Sequence, residues 1–481
     1  MMRRLILWVM LALMLVMSGC SGNSAVPTEQ PQVNRTNVDL TNTRTTATVV
    51  TYLPSNSGNR LIQSSSEMVI PEGQQLLQAA IVKLLSEYGD SLCMPVFGGG
   101  ASLKSMTKSN NVLMLDINAY VDLEDMSERS LLNSVTALVN TIAANSQVEY
   151  VFLWVNGQAL ASRGMLSSPL VPQDNNLEEL WIRHQYYMEK GEVNAGDIEK
   201  QVAFYQDASG QYLLATVTAD VNTSISSLIR LLLRAPANTL GLTSAIPYTV
   251  TTSQLPTVEI EEDGTQVISV WLNGPEYGNL SGGTLYNMAA ALTLSIHCNY
   301  PAVDEVKIYM DNRLITSLPD VGLPETDALT ADMFLPEVAD MIELYFPQQQ
   351  SGRLIKLERA TAQESALKVR TLVDELIRGP LAGEDSSLTY AFPVGITPED
   401  LLSVEVQGSC AIVNFSENFE AYYPMDTVKE RLMIYSIVNT LTQDPTIQQV
   451  QILVEDRRVG AIGNIDLTNP LIRNPGLISI E

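Results

Sequence analysis

The chain has 481 residues, with 54 acidic and 28 basic side chains and a formal net charge of −26. This charge disfavours nucleic acids and other acidic polymers as partners, and it would repel an anionic membrane surface. Hydrophobic residues make up 46%, charged residues 17% and aromatic residues 6% of the chain, which argues against both disorder and a membrane bundle. The length predicts about three domains.

The first twenty residues have the layout of a lipoprotein export signal. Arg3 and Arg4 precede an apolar core from Leu5 to Met17, and Ser18-Gly19-Cys20 follows. We therefore predict that residues 1–19 are a signal peptide and that the Cys20 thiol is lipidated, which places the protein on the extracytoplasmic face of the cell membrane. An ordinary signal peptide or a short anchor that contains Cys20 by chance is the alternative, although the apolar core is shorter than the roughly 20 residues of a membrane span.

Residues 20–45 are polar and rich in Asn, Thr, Ser and Pro, with no apolar period. Such a segment buries too little surface to offset its chain entropy, so it is predicted to be a flexible tether.

Three segments, 46–165, 198–318 and 338–465, then share one order of predicted elements. Each starts with a strand, at Thr48–Leu53, Val202–Tyr205 and Ile342–Phe346, and continues with an amphipathic helix, at Gln75–Glu87, Ser224–Arg234 and Ser365–Arg378. Two more strands, a second helix and a last strand follow. The third segment shows this ending most clearly, because Gln407-Gly408-Ser409 separates two β-like runs as a hairpin turn would. Each segment thus predicts a compact β-α-β-β-α-β unit of an α+β protein.

The second helix and the last strand keep one spacing in all three segments. Val139, Leu294 and Val438 each lie 12 positions before a strand residue, namely Val151, Val306 and Val450. Val438-Asn439-Thr440-Leu441 also matches Val139-Asn140-Thr141-Ile142. This agreement predicts an internal triplication.

The remaining segments are connections. Residues 166–197 form a linker in which Leu177, Leu180, Trp181, His184 and Tyr187 fall at helical spacing, so a helix packed on a neighbouring domain is predicted, with a partner-binding helix as the alternative. Residues 319–337 form a second, acidic linker with turn residues. Residues 466–481 are expected to be a C-terminal arm.

Several motifs resemble those of a known family. The segments LIRGP at 376–380, FPVGITPEDLLSVEVQGSCAIVNFSENF at 392–419 and SIVNTLTQDPTIQQVQILVED at 436–456 closely resemble the GerMN domain of GerM-type sporulation and spore germination lipoproteins. Of the three repeated segments, residues 198–318 resemble the GerMN domain through LLRAP and VKIYMDN. Residues 46–165 are assigned to it through the repeat register. Family members commonly carry fewer copies. The resemblance implies tandem modules similar to the ring-building folds of sporulation complexes.

Catalytic and metal-binding patterns are weak. Cys93, Cys298 and Cys410 occupy non-equivalent places and form no disulfide framework or metal motif, so buried single thiols are predicted. His297 aligns with Leu441 and Ile142, a core-facing place, and is predicted to be packed or partly buried, with a catalytic role as the less favoured alternative. His184 has no serine or metal companion in the sequence, although a Ser/His/Asp arrangement from distant residues stays open.

Two further motifs resemble binding sites only superficially. Gly98-Gly99-Gly100 lacks the spacing and the Gly-Lys pair of a phosphate loop, so a glycine-rich connection is predicted. The clusters Asp122-Leu123-Glu124-Asp125 and Glu261-Glu262-Asp263 lack the spacing of an EF-hand. No catalytic residue, metal or cofactor is predicted.

The resulting hypothesis is a non-enzymatic, lipid-anchored envelope protein of the sporulation or germination type, whose modules bind envelope or sporulation-complex proteins. A second copy of the chain is a further candidate partner. The alternative is a lipoprotein that binds cell-wall glycan, that is peptidoglycan, or a germinant, and assists a wall hydrolase. Nucleic acid is not expected as a partner.

Overall fold

A computed structural model describes residues 35–37, 46–70, 75–161, 163–191, 200–207, 209–219, 224–234, 241–274, 280–318, 320–362, 369–444 and 446–479. Within them, helices and strands mix in the order of an α+β protein, which confirms the predicted class. The predicted signal peptide, Cys20 and most of the tether lie outside these residues.

Three repeats account for most of the described elements. Before repeat 1 lies β1 (Arg35–Asn37). Repeat 1 contains β2 (Thr46–Pro54), β3 (Leu61–Val69), α1 (Leu76–Ser86), β4 (Ser102–Ser109), β5 (Val112–Asn118), α2 (Glu128–Ala144), β6 (Tyr150–Val155) and β7 (Gln158–Ala159), and α3 (Leu177–Lys190) follows it. Repeat 2 contains β8 (Lys200–Asp207), β9 (Leu213–Ala219), α4 (Ile225–Leu232), β10 (Leu242–Thr243), β11 (Thr251–Thr252), β12 (Thr257–Ile260), β13 (Gln266–Asn273), α5 (Gly282–Asn299), β14 (Glu305–Met310) and β15 (Arg313–Leu314).

Repeat 3 and the C-terminal segment complete the order. They contain β16 (Ala339–Pro347), β17 (Leu354–Ala362), α6 (Val369–Arg378), β18 (Leu401–Gln407), β19 (Cys410–Phe415), α7 (Asn418–Ala421), α8 (Thr427–Leu441), β20 (Gln449–Val454), β21 (Arg457–Val459), β22 (Ala461–Ile462), β23 (Ile465–Asp466) and β24 (Leu471–Ile472).

Each repeat starts with a hairpin, where a single strand was predicted. The predicted strands lie in β2, β8 and β16, and each pairs antiparallel with a following strand, β3, β9 or β17. The sequence of β3, LIQSSSEMV, is polar and mostly exposed, so it carries no alternating hydrophobic pattern. Hydrophobic period therefore could not identify it.

The last strand of each repeat lies parallel to the strand before the second helix. Val151, Val306 and Val450 pair with Leu113, Ile268 and Ala411. On their other side the same three valines pair with Leu170, Leu329 and Leu471. This shared geometry confirms the predicted register of the strands.

The helix register differs by one residue in repeat 2. In repeats 1 and 3 the backbone N–H of Tyr52 and of Tyr345 donates to Thr141 Oγ1 and Thr440 Oγ1, each at 3.0 Å. In repeat 2 the equivalent donor, Phe204 N–H, bonds Ser295 Oγ at 2.9 Å. Leu294 therefore stands where the other repeats have Asn140 and Asn439, so its predicted pairing with Val139 and Val438 is wrong by one residue. All three residues are nevertheless buried.

The two asparagines explain why Val-Asn-Thr occurs in both repeats 1 and 3. Asn140 Oδ1 accepts a hydrogen bond from Gln173 N at 3.0 Å, and its Nδ2 donates to Gln173 O at 2.8 Å. Asn439 makes the same two bonds with Asn474, at 2.8 and 3.1 Å. Each asparagine thus holds the chain that leaves its repeat against the second helix.

Part of the predicted tether is also ordered on the fold. Strand β1 pairs antiparallel with β21 of repeat 3. A ladder of backbone hydrogen bonds requires no apolar side chains, which is why composition alone did not indicate it.

Candidate interaction surfaces

Repeats 1 and 3 contact each other reciprocally. The turn of the second hairpin of repeat 3 donates from Gly408 N to Thr46 O of β2 at 2.8 Å. The corresponding turn of repeat 1 donates from Ser109 Oγ to Ala339 O of β16 at 2.6 Å. Thr46 and Ala339 each lie six residues before the equivalent tyrosines Tyr52 and Tyr345. Each repeat therefore sets the turn of its second hairpin against the equivalent strand start of the other, around an approximate twofold relation.

One half of this contact contains a buried ion pair. Lys108 Nζ donates to Asp340 Oδ2, and Asn110 N donates to Asp340 Oδ1 at 2.7 Å. The Asp340 side chain is only 5% exposed. Removing one partner from such a pair leaves a charge uncompensated away from water, so repeats 1 and 3 are strongly coupled here.

Ser109 and Asn110, the junction turn, also hold repeat 2. Ala215 N donates to Ser109 Oγ at 3.0 Å, and Asn110 Nδ2 donates to Ala215 O at 2.7 Å. Asn110 has a φ of 55°, a left-handed conformation that asparagine tolerates better than most residues. All three repeats therefore meet at this turn.

A cleft of about 400 Å³ opens beside the junction turn. Its walls come from all three repeats: Asn110, Asn111, Tyr150, Lys200, Leu214, Ala215, Thr216, Val217, Leu242, Met341 and Glu358. Lys200 Nζ donates to Tyr150 Oη at 2.8 Å and lies 4.8 Å from the centre of that ring. These amide, hydroxyl, ammonium and carboxylate groups can hydrogen-bond a polar solute, and the lining contains no thiol or imidazole.

Repeat 2 also docks on the outer face of the sheet of repeat 1. The rings of Trp154 and His297 stack with their centres 5.1 Å apart, and Cys298 Sγ lies 3.6 Å from Met114 Sδ. Met114 and Phe152 pack in the core of repeat 2. The sheet of repeat 1 is therefore covered on both faces, by its own helices and by α5.

His297 is partly buried, within the predicted range, but the place is not the core-facing one that was expected, because the ring stacks on Trp154 of repeat 1. Burial lowers the pKa of His297, which favours the neutral imidazole. The sequence signal for this docking was present in β6, whose run YVFLWV is apolar on both faces, as in strands buried on both sides.

His184 has a positioning role in the connection after repeat 1. Its Nδ1 accepts a hydrogen bond from Met165 N at 3.0 Å, and its Nε2 lies 3.1 Å from Glu128 Oε1, which also accepts from Arg163 Nε at 2.7 Å. Burial lowers the pKa of His184 and outweighs the opposing effect of Glu128. For Glu128, burial alone would raise the pKa, but Arg163 and His184 lower it overall.

Gly164 is required beside this histidine. Its φ is +55°, and a Cβ there would lie 2.6 Å from His184 Nδ1. No hydroxyl or thiol nucleophile contacts His184 among the described residues, and its role is to fasten α3 and the connection to repeat 1.

The cysteines are free thiols in the described part of the chain. Cys93 and Cys298 are buried and Cys410 is half-buried. Burial raises the pKa of all three thiols, and the carboxylates of Asp90 and Glu87 raise that of Cys93 further. Cys20, the predicted lipidation site, lies outside the described residues.

The other predicted features form no metal or membrane site within the described ranges. No group of three or more His, Cys, Asp or Glu is placed to hold a metal ion. No described helix is long and apolar enough to cross a membrane. Gly98–Gly100 connect α1 to β4 with positive φ values of 76°, 89° and 71°.

Repeat 3 contains an ionic cluster that sequence reasoning missed. Arg359 donates to Glu375 and Glu384, each at 2.7 Å, and to Gly379 O at 3.0 Å. Gly379 has a φ of +83°, and a Cβ there would lie 2.2 Å from the Tyr390 ring. The Arg359 guanidinium on β17 thus holds the Arg-Gly-Pro end of α6 in place. Strand β17 itself was not predicted.

A family model decides the identification. The model described as Germane, sporulation and spore germination, matches residues 50–161 and 343–460. This chain is a GerMN-type protein. The GerMN match covers repeats 1 and 3, the two that contact each other reciprocally, and it relates the protein to sporulation or spore germination.

Solved structures are also similar to this chain. The tandem GerMN domains of the sporulation protein GerM from Bacillus subtilis are 18% identical with a TM-score of 0.23, covering 57% of this chain and 98% of that one. A putative lipoprotein from Clostridium perfringens is 27% identical with a TM-score of 0.20, covering 28% of this chain and 87% of that one. Among curated proteins there is no match. Because these TM-scores are low, the identification of the GerMN-type protein depends on the family model.

Proposed function

We propose that the protein is a non-enzymatic, lipid-anchored envelope protein whose GerMN modules bind other proteins during spore formation or germination. The observation that supports this most is that the modules bind one another in two different ways. Repeats 1 and 3 use hairpin turns and first strands, whereas repeat 2 uses a helix on a sheet face. A module with two such surfaces is suited to assembly with envelope or sporulation-complex proteins, or with a second copy.

The anchor in this proposal is lipid on Cys20, which would hold the three repeats on the extracytoplasmic face. Cys20→Ala tests it by cell fractionation. The wild-type protein should sediment with membranes and the variant should appear in the soluble extracytoplasmic fraction. A variant that still sediments with membranes would show that the anchor lies elsewhere.

Assembly is tested by affinity isolation of the protein from sporulating cells. Defined envelope proteins should be enriched with the wild-type chain and lost when the junction is opened by Ser109→Val with Asn110→Asp. Lys429→Ala, at an exposed position of α8, is the control and should leave the same partners bound. Equal recovery by all three chains would contradict a role for the assembled modules.

The alternative function is binding of cell-wall glycan or a germinant, in support of a wall hydrolase. The cleft at the junction of the three repeats favours it, because its walls combine polar and charged groups with apolar side chains and its volume, about 400 Å³, suits a small solute. Sedimentation with purified peptidoglycan, lost in Lys200→Ala with Glu358→Gln, would support this function over protein assembly.

A further inference from the structure

Strand β12 of repeat 2 is an unusually exposed sheet edge. All four of its residues, Thr257–Ile260, are exposed, and among the described strands it pairs only with β13. Val258 is 54% and Ile260 is 69% exposed, and both lie on the same face of the strand. An exposed apolar edge strand is a template for pairing with another chain, which natural proteins usually protect.

The equivalent strands of the other two repeats are covered at their C-terminal ends. Lys108, Val258 and Val406 stand opposite Leu113, Ile268 and Ala411, so they hold the same place in the three sheets. In repeats 1 and 3 the strand at this place ends beside β16 or β2 of the other repeat. In the described part of repeat 2, β12 has no such neighbour.

Charge around β12 argues for one kind of partner. Glu259 lies on the face opposite Val258 and Ile260, and Glu261, Glu262 and Asp263 form the turn that follows. Lys307 faces this group and bonds Glu261 at 3.2 Å. A second copy of the chain, with its net charge of −26, would bring acid against acid.

We propose that β12 binds an extended, basic segment of a partner protein as an added β-strand. The apolar residues of that segment would cover Val258 and Ile260, and its basic residues would face Glu259 and Glu261 on the other side. Main-chain hydrogen bonds then supply affinity, and the alternation of side chains supplies specificity. This inference rests on the proposed function of the modules in protein binding and names the surface and the class of partner.

A synthetic peptide of alternating Lys and Val, seven residues long, tests the proposal with the full extracytoplasmic chain. A block peptide of the same composition, four Lys followed by three Val, is its control for charge alone. The alternating peptide should bind at least about tenfold more tightly than the block peptide. It should also slow hydrogen exchange of the backbone amides at residues 257–260.

Variants locate the binding. Val258→Lys with Ile260→Lys should weaken the alternating peptide at least about tenfold. Val428→Lys is the matched control, because Val428 is 43% exposed on α8 of repeat 3, and it should bind like the wild type. Equal binding of the two peptides, or protection away from β12, would overturn the inference. Dimerisation that is lost in Val258→Lys with Ile260→Lys would overturn the basic partner in favour of a second copy.

These experiments distinguish a failure of the β12 assignment from a failure of the proposed assembly function. If the peptide does not bind but defined envelope proteins still co-purify with the wild-type chain, only the assignment of β12 is wrong. If neither occurs, the assembly function itself is contradicted.

Discussion

Repeats 1 and 3 differ from repeat 2 in how they contact the rest of the molecule. The contact between repeats 1 and 3 is polar and joins hairpin turns to strand starts. One half is the backbone bond from Gly408 to Thr46, and the other half is formed by Lys108, Ser109 and Asn110 with Ala339 and Asp340. Repeat 2 docks on the sheet of repeat 1 by packing of large side chains, with Trp154 on His297 and Met114 on Cys298. The polar contact uses residue types that are common in turns and strands anyway, whereas docking on a sheet face needs large apolar side chains at fixed positions.

The outer faces of the three sheets show this difference directly. In repeat 1 the outer residues of β6 are Tyr150, Phe152 and Trp154, and repeat 2 covers them. In repeat 2 the same places in β14 hold Glu305, Lys307 and Tyr309, and in repeat 3 those in β20 hold Gln449, Gln451 and Leu453. Only the face that receives another repeat is aromatic throughout.

The largest effect is expected at the contact between repeats 1 and 3. Lys108→Met should lower the free energy of unfolding by about 3 kcal/mol, because Asp340 stays buried without its cation. Urea denaturation would measure the loss, and hydrogen exchange should show β4 and β16 opening first. Lys104→Met is the control in the same strand. Lys104 is 48% exposed and pairs with Asp116, so its loss should cost about 0.5 kcal/mol or less.

Equal destabilisation by the two lysine variants would contradict a special role for the Lys108–Asp340 pair. It would mean that the hydrogen bonds of Gly408, Ser109 and Asn110 hold repeats 1 and 3 together without this pair.

The docking of repeat 2 is expected to weaken next. Trp154→Ala removes a half-buried ring that stacks on His297, at a cost of about 2 kcal/mol. Cys298 lies against Met114 of repeat 1 and is only 1% exposed, so the rate at which a thiol reagent labels it reports on undocking of repeat 2. In a background with Cys93→Ser and Cys410→Ser, labelling should accelerate by at least about tenfold.

Tyr309→Ala is the matched control for this measurement. Tyr309 occupies the place of Trp154 in repeat 2 and stacks on Trp271 within its own sheet, at 4.0 Å between ring centres. Its removal should leave labelling of Cys298 slow. If both variants accelerate labelling equally, exposure of the thiol reflects unfolding of repeat 2 and not its release from repeat 1.

A smaller effect should distinguish the corrected helix register from the predicted one. Thr141→Val, Ser295→Ala and Thr440→Val each leave one buried backbone N–H of the first hairpin without a partner, so each should cost about 1–2 kcal/mol. Ile296 is the residue that the 12-position spacing makes equivalent to Thr141, and Ile296→Val should remove no hydrogen bond. Faster exchange of the Phe204 amide in Ser295→Ala but not in Ile296→Val would establish the corrected helix register. Faster exchange of that amide in Ile296→Val would support the predicted helix register instead.

The sequence predicted the elements that are rich in apolar residues and missed the polar strand β3. The second helix and the last strand of repeats 1 and 3 are apolar and almost wholly buried, so Val139, Val151, Val438 and Val450 could be placed correctly. The polar strand β3 could not be recognised, because its hydrogen bonds to β2 are made by backbone groups that every residue carries.

The contacts between repeats were harder to predict for a different reason. Ser109, Asn110 and Asp340 are ordinary turn and strand residues, and their importance arises only from which distant segments they meet. Their sequence separation from their partners exceeds 100 residues, and no local pattern encodes it. The apolar run YVFLWV was the one local signal, since it indicates a strand that is buried on both faces.

The smallest expected effect is a dependence of stability on pH that compares the two histidine contacts. Burial lowers the pKa of His184 and of His297 from the ordinary value of 6.5. The unfolded chain therefore binds protons first as the pH falls. The stability that each neutral imidazole contributes is fully present above pH 6.5 and is lost as the pH falls towards the folded-state pKa.

Each histidine should make only its own contact sensitive to acid. His184→Gln should reduce the acid sensitivity of the connection held by Glu128 and Arg163, and His297→Phe should reduce that of the contact with Trp154, where Asp304 and Asp332 oppose the effect of burial. Thermal denaturation between pH 7 and pH 5, with Cys298 labelling in parallel, would separate them. Labelling that accelerates in acid for the wild type but not for His297→Phe would place the titration between repeats 1 and 2, because only that variant keeps an uncharged ring against Trp154 at every pH.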